Sequence, residues 1–290
     1  RQVARLPAGG RGRQLEVVLR LAHGLHFLGR MQDKLDLLLR HHQDFETANS
    51  VLIGRYYLLL GVTYSLLGDR TNAGRSGTRA LEEATRGHDE ATMGKAHYMM
   101  AHEAYWAGEL ARGVEHGRMA VTLLQDKAEP WWLGMAHWIL GVIHGFMGRF
   151  DLAFEAEAQA RAIGERVGDP RLQSYADWTA GGAYAVMGDH AAAVEASRRG
   201  LEKAPDPVSR ANALGFLGGV YLESGNAAEA IPPLEQSIRL FAQFRITELE
   251  GWFTTLLGEA HLLQGDVAQA HALAMRGLDL ARSSNFWVAL

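Results

Sequence analysis

Residues 60–80 read LGVTYSLLGDRTNAGRSGTRA, with Gly61, Tyr64, Gly68, Ala73 and Ala80 standing out as small, aromatic or turn-forming positions. Gly68 followed by Asp69 reads as a turn: a helix ends on a left-handed glycine and a polar side chain caps or complements the next helix. Outward from this stretch the turn recurs at Gly29, Gly68, Gly108, Gly148, Gly188, Gly225 and Gly265, at spacings of 39, 40, 40, 40, 37 and 40. The polar residues that follow are Arg30, Asp69, Glu109, Arg149, Asp189, Asn226 and Asp266. Self-similarity at one period marks a repeat architecture.

Seven residues before each turn glycine stands Ala22, Gly61, Ala101, Gly141, Gly181, Gly218 or Gly258; five after it come Ala73, Gly113, Ala153, Ala193, Ala230 and Ala270. Small side chains at both sites let the two helices of a hairpin approach closely. Ala80, Ala120, Ala160 and Gly200 continue the series seven residues further on. Asp169-Pro170 and Asp206-Pro207 place a cap before a proline at the first helical position, and Thr247 with Glu250 reads as a capping box. Pro232-Pro233 falls inside an expected helix and should kink or delay it. No stretch alternates as a strand does between strong turns.

The pattern L-G-x2-Y-x3-G-x4-A-x6-A from Leu60 to Ala80 resembles the tetratricopeptide repeat (TPR), in seven in-phase copies over residues 13–282. The period near 40 exceeds the usual 34. Gly77, Gly117, Glu157 and Ser197 replace the bulky aromatic usual in the second helix. The resemblance implies an all-α, right-handed solenoid of about seven helix-turn-helix repeats. The long period resembles the C-terminal sensor arrays of bacterial signalling ATPases, namely maltose-activator-type regulators and ATPase-linked nucleotide cyclases. By that resemblance, the array senses an inducer or partner and controls a separate output domain.

Residues 1–12, Arg- and Gly-rich, read as a linker, and residues 283–290 as the start of a truncated eighth repeat. The chain begins with Arg1 and stops inside the apolar run Phe286–Leu290, so a piece of a longer, cytoplasmic protein is expected. An uncapped C-terminal repeat predicts a symmetric homodimer through that end. The 290 residues are 48% hydrophobic and 21% charged, with net charge −4, which argues against a phosphate backbone as the main partner. The absence of cysteine excludes disulfides, thiolate metal sites and a cysteine nucleophile. The longest apolar stretch, Tyr56–Gly68, is too short to span a membrane.

On the helical wheel, the face of each first helix opposite the small-residue seam should line the concave side. In the third unit that face carries Lys95, Tyr98, His102 and Tyr105; in the fourth, Trp131, Met135 and Trp138; in the fifth, Tyr175 and Trp178; then Asn212 and Trp252 in the sixth and seventh. Aromatic rings beside glycines suit an apolar guest with a few polar handles. The competing reading is that aromatics at helical spacing are core. Arg55, Lys95 and Arg171 are the clear cations on this face and Asn212 its asparagine, too few for a carboxylate clamp. His102-Glu103 starts like a zinc-protease motif, but Trp106 stands where the second histidine belongs. His137 and His144 fall on packing positions, and His41-His42 lies near a helix end. No phosphate loop or nucleophile elbow is recognisable. The expectation is therefore no catalytic residue, no metal and no cofactor. A regulatory scaffold would bind a protein or peptide in its aromatic groove, or alternatively a small-molecule inducer there. A continuous open channel would favour the peptide, a closed pocket between units three and five the small ligand.

Overall fold

The computed structural model describes residues 8–283, which form seven antiparallel helical hairpins; no strand occurs among them. The first hairpin is α1 (Ala8–Phe27) with α2 (Met31–Arg40), followed by the short α3 (His42–Glu46). The next two are α4 (Ser50–Leu66) with α5 (Arg70–Arg86), and α6 (Glu90–Trp106) with α7 (Leu110–Leu124). Then come α8 (Pro130–Phe146) with α9 (Phe150–Val167), and α10 (Pro170–Val186) with α11 (His190–Lys203). The last two are α12 (Pro207–Glu223) with α13 (Ala227–Phe244), and α14 (Thr247–Leu263) with α15 (Val267–Ser283). From α4 onward each first helix packs on its own second helix and on the first helix of the next hairpin, the stacking of a TPR-like solenoid.

All seven turn glycines are left-handed, with φ between 68° and 83°. At Gly108, Gly148, Gly188, Gly225 and Gly265 a Cβ would have open space, so the backbone angle alone requires glycine there. After three of the turns the next residue caps as expected: Asp69, Asp189 and Asp266 accept from the backbone N–H groups of Asn72, Ala192 and Gln269. Arg30, Glu109, Arg149 and Asn226 make no such bond.

The two series of small residues meet. A Cβ on Gly181 would lie 2.9 Å from the Ala193 carbonyl oxygen, and one on Gly218 3.2 Å from that of Ala230. Backbone therefore touches backbone along each hairpin seam. Across α9, α10 and α11 the fully buried Asp177 carboxylate holds Arg161 at 2.7 Å and Lys203 at 2.9 Å.

Several local expectations need correction. α1 begins at Ala8, so residues 8–12 are helix, not linker; residues 1–7 and 284–290 lie outside the described residues. The eighth repeat expected at 283–290 thus lies outside them too, beyond Ser283, which ends α15. The capping box does not form: Ile246 precedes α14 without a side-chain cap, and Glu250 turns to Arg276 at 2.6 Å. α13 starts at Ala227 and runs through Pro232 and Pro233 without delay. α3 was not foreseen; it brings Phe45 under Tyr56, rings stacked 4.4 Å apart.

The array curls until its ends meet. Gly29, in the first turn, faces the Phe244 ring at the end of α13; a Cβ there would lie 2.5 Å from it. Phe27 lies edge-on to Trp131 at 5.8 Å and under the Arg171 guanidinium at 4.1 Å. Arg70 meets Glu248 at 2.7 Å, and Trp106 meets Trp252 edge-on at 5.7 Å. Burial pushes the Glu248 carboxyl up to about 8 in spite of Arg70.

Candidate functional site

The curled array encloses a cavity of about 540 Å³ walled by first helices from every hairpin, from His23 and His26 on α1 to Trp252 and Leu256 on α14. An open groove was the sequence expectation; the approach of the first hairpin to the later ones narrows it to a half-open cavity. Ten of the eleven groove residues read from the sequence line this cavity: Tyr98, His102, Tyr105, Trp131, Met135, Trp138, Tyr175, Trp178, Asn212 and Trp252. Lys95 does not. Its Nζ pairs with Glu129 at 2.5 Å and sits 5.7 Å over the Trp132 ring.

Trp138 and Trp178 are packed, not half-exposed as a groove would leave them, while Trp131, Tyr175 and Trp252 are partly buried. Trp138 is 9% and Trp178 3% exposed, because the rings cover one another around the narrow interior. Trp178 stacks on Phe216 at 3.9 Å and meets Trp138 edge-on at 5.7 Å. The Trp138 indole N–H donates to Thr179 Oγ1 at 2.8 Å, and that hydroxyl donates to the Tyr175 carbonyl at 2.9 Å. His102 accepts from the Trp106 indole N–H at 3.2 Å, and burial lowers its pKa to about 4, so it is neutral. Glu157 is buried on the wall, and burial raises its pKa well above the usual carboxylate range. The site is an apolar, aromatic chamber with few polar groups, the chemistry of a binding site for an apolar guest.

Some wall residues were missed. Beside the expected Trp252, α14 also brings Leu249, Phe253 and Leu256 to the wall, while Glu248 turns to Arg70. Phe216 was not singled out, and Trp106 figured only as a failed metal ligand. Lys34 was missed although the sequence marks it. It stands five residues after Gly29, where the other six hairpins carry alanine or glycine, and on the apolar stripe of Met31, Leu37 and Leu38. His97 and His116 pair through their Nδ1 atoms at 2.9 Å, away from the cavity, and burial lowers both pKa values. His144 is buried, as its packing position implied, and His137 half-buried. Among the described residues no three His, Asp or Glu side chains gather as a metal site, and no helix is long and apolar enough to cross a membrane.

No family model matches the sequence, and no curated protein is similar to it. Solved structures do share its fold. The Rap conjugation gene regulator of plasmid pLS20, in complex with the Phr* peptide, superposes with a TM-score of 0.75 at 14% identity, over 98% of this chain and 79% of that one. A Rap protein complexed with Competence and Sporulation Factor gives 0.69 at 14%, over 94% and 78%. The signal-transduction ATPase with a TPR sensor from Pyrococcus horikoshii gives 0.54 at 14%, over 91% of this chain and 41% of that one. With the hairpin stacking and the seven left-handed glycine turns, these likenesses make the chain a TPR-like helical repeat array.

Proposed function

We propose that the chain is a non-catalytic regulatory module that binds a short peptide inside its curled superhelix, whose cavity stays half open to solvent. The observation that carries this reading is the aromatic cavity, walled by all seven hairpins. A guest that touches every hairpin couples to the curvature of the whole array, so binding changes its shape or stiffness. Two Rap proteins of the same fold are complexed with a Phr* peptide or with Competence and Sporulation Factor, which supports the peptide reading. The alternative guest is a small-molecule inducer; the volume near 540 Å³ lies within the range of small-ligand pockets and favours it as a second reading. A cytoplasmic location and a partner output domain belong to the same proposal.

A random hexapeptide library passed over the protein tests this, with retained sequences read by mass spectrometry. Gly182→Leu is the control: Gly182 lines the cavity and a Cβ there meets nothing within 4 Å, so leucine fills the chamber without disturbing a seam. The reading expects sequences enriched by the wild type and lost by the variant. No enrichment, or equal retention by both, refutes it; enrichment from a small-metabolite extract instead selects the second reading.

A further inference from the structure

The cavity wall is mostly apolar, with Ser65, His102, Glu157, Thr179, Asn212 and Glu223 as scattered polar groups, and its one lysine stands at the first-hairpin end. There Lys34, on α2, is fully buried and lines the cavity, and its Nζ has no hydrogen-bond partner. An ammonium group without a partner is costly to bury. It occupies the seam position that alanine or glycine fills in the other six hairpins, so close packing of α1 on α2 does not account for it. His23 and His26 line the cavity beside it, within reach of its charge, and Arg171 acts on both as well. The carboxylates nearby are engaged elsewhere: Glu129 with Lys95 at 2.5 Å, Asp169 with Arg171 at 3.3 Å. Two wall tryptophans, Trp131 and Trp178, also hold indole N–H groups without acceptors. Along this wall the unsatisfied groups are these three donors and the carboxyl of Glu157, whose pKa burial raises well above its usual range.

We infer that the cavity selects a guest bearing a carboxylate, which docks on Lys34 between His23 and His26 while the indole N–H groups of Trp131 and Trp178 take its carbonyl oxygens. This rests on the reading of the cavity as a peptide-binding chamber and names the group by which the peptide is oriented. The carboxylate enters at the first-hairpin end and the apolar side chains lie among the rings towards α14. Binding restores the charge on Lys34, which burial otherwise lowers to a pKa of about 7.

The probes are indole-3-acetate and indole-3-acetamide, which share an apolar body and differ in the carboxylate. At tenfold the dissociation constant, indole-3-acetate should raise the thermal midpoint of the wild type by roughly 3 °C and indole-3-acetamide by far less. Lys34→Met, which matches the side chain in length and removes the charge, should abolish the difference while still accepting the indole. A second measurement needs no variant. The chain has four lysines, so the Lys34 Cε–Hε resonance of lysine-labelled wild-type protein is readily followed. Its titration midpoint should move upward with indole-3-acetate and stay put with indole-3-acetamide. Acetylated tripeptides that carry either a free C-terminus or a glutamate with an amidated end then decide which carboxylate is read. Equal shifts from both indole probes, a difference that survives in Lys34→Met, or an unresponsive Lys34 resonance overturns the inference but leaves the apolar chamber standing. No response to either probe removes the chamber as well.

Discussion

Gly181 and Gly182 are neighbours in α10, yet replacing each with alanine should move stability in opposite directions. Alanine in a helix interior is intrinsically better than glycine by about 1 kcal/mol, and both substitutions gain that. At Gly182 a Cβ meets nothing within 4 Å, so Gly182→Ala should stabilise by roughly that amount. At Gly181 the Cβ would lie 2.1 Å from Ser197 Oγ, 2.9 Å from the Ala193 carbonyl oxygen and 3.1 Å from the Ser197 backbone nitrogen. Ser197 can give way, but the two backbone atoms belong to α11 and move only if the hairpin opens. Overpacking of this kind costs about 1–3 kcal/mol, and separating two helices along a seam puts Gly181→Ala in the upper half of that range, about 2–3 kcal/mol. The net loss is about 1–2 kcal/mol, a difference near 2–3 kcal/mol between adjacent sites. Urea unfolding followed by circular dichroism at 222 nm resolves it, and Gly181→Ala with Ser197→Ala should recover only part of the loss. If both glycine variants shift the midpoint in the same direction, close backbone contact is not what holds the hairpins, and the account of the repeat fails.

Trp178→Ala should cost about 3–5 kcal/mol, measured by thermal unfolding, because the ring is buried on Phe216 and Trp138; Trp178→Phe at well under half that cost is the variant with which to judge binding. His102, whose pKa falls to about 4 from 6.5, binds no proton in the folded chain where the unfolded chain does, so its stabilising effect is complete above pH 6.5 and lost as pH falls towards 4. That is worth about 3 kcal/mol, and His102→Gln should flatten the pH dependence of the thermal midpoint between those values; an unchanged slope contradicts it. We also propose that this chain self-associates through its C-terminal end, where Val267 and Met275 of α15 stand exposed; light scattering that stays monomeric at high concentration, or a dimer unaffected by Met275→Glu, refutes it.

The repeat was legible because its physics is local. Left-handed glycine and small-residue contact leave a mark at fixed spacing, and Gly29 to Gly265 and Ala73 to Ala270 carry it plainly. The inner faces followed from the helical wheel once the seam was known, which is why ten of eleven residues reached the cavity wall. What the sequence did not reveal was closure. The approach of Phe244 to Gly29 and of Glu248 to Arg70 sums small rotations over all the hairpins, and no local pattern encodes that sum. The face of α14 depends on it, whereas Trp138 and Trp178 are buried by rings of the adjacent hairpins, His102, Tyr175 and Phe216. Lys34 escaped for a different reason: as a break in the small-residue series it reads as an irregular first repeat until the structure shows it buried.

The meeting of the first turn with the end of α13 changes the topology of the energetics. An open solenoid is a linear chain of nearest-neighbour couplings that can fray from either end and tolerate a repeat more or less. Here contacts of Gly29 with Phe244, Arg70 with Glu248 and Trp106 with Trp252 impose something close to a periodic boundary. The first turn and α14 are then poor places for fraying to begin, so the hairpins between them should melt together. The number of repeats becomes an integer condition: inserting or deleting one hairpin advances the far end past its partner and opens the ring. Families of open solenoids vary in repeat number; descendants of this chain that keep the chamber should conserve the number of hairpins between the first turn and α14 and vary in the rings that line it.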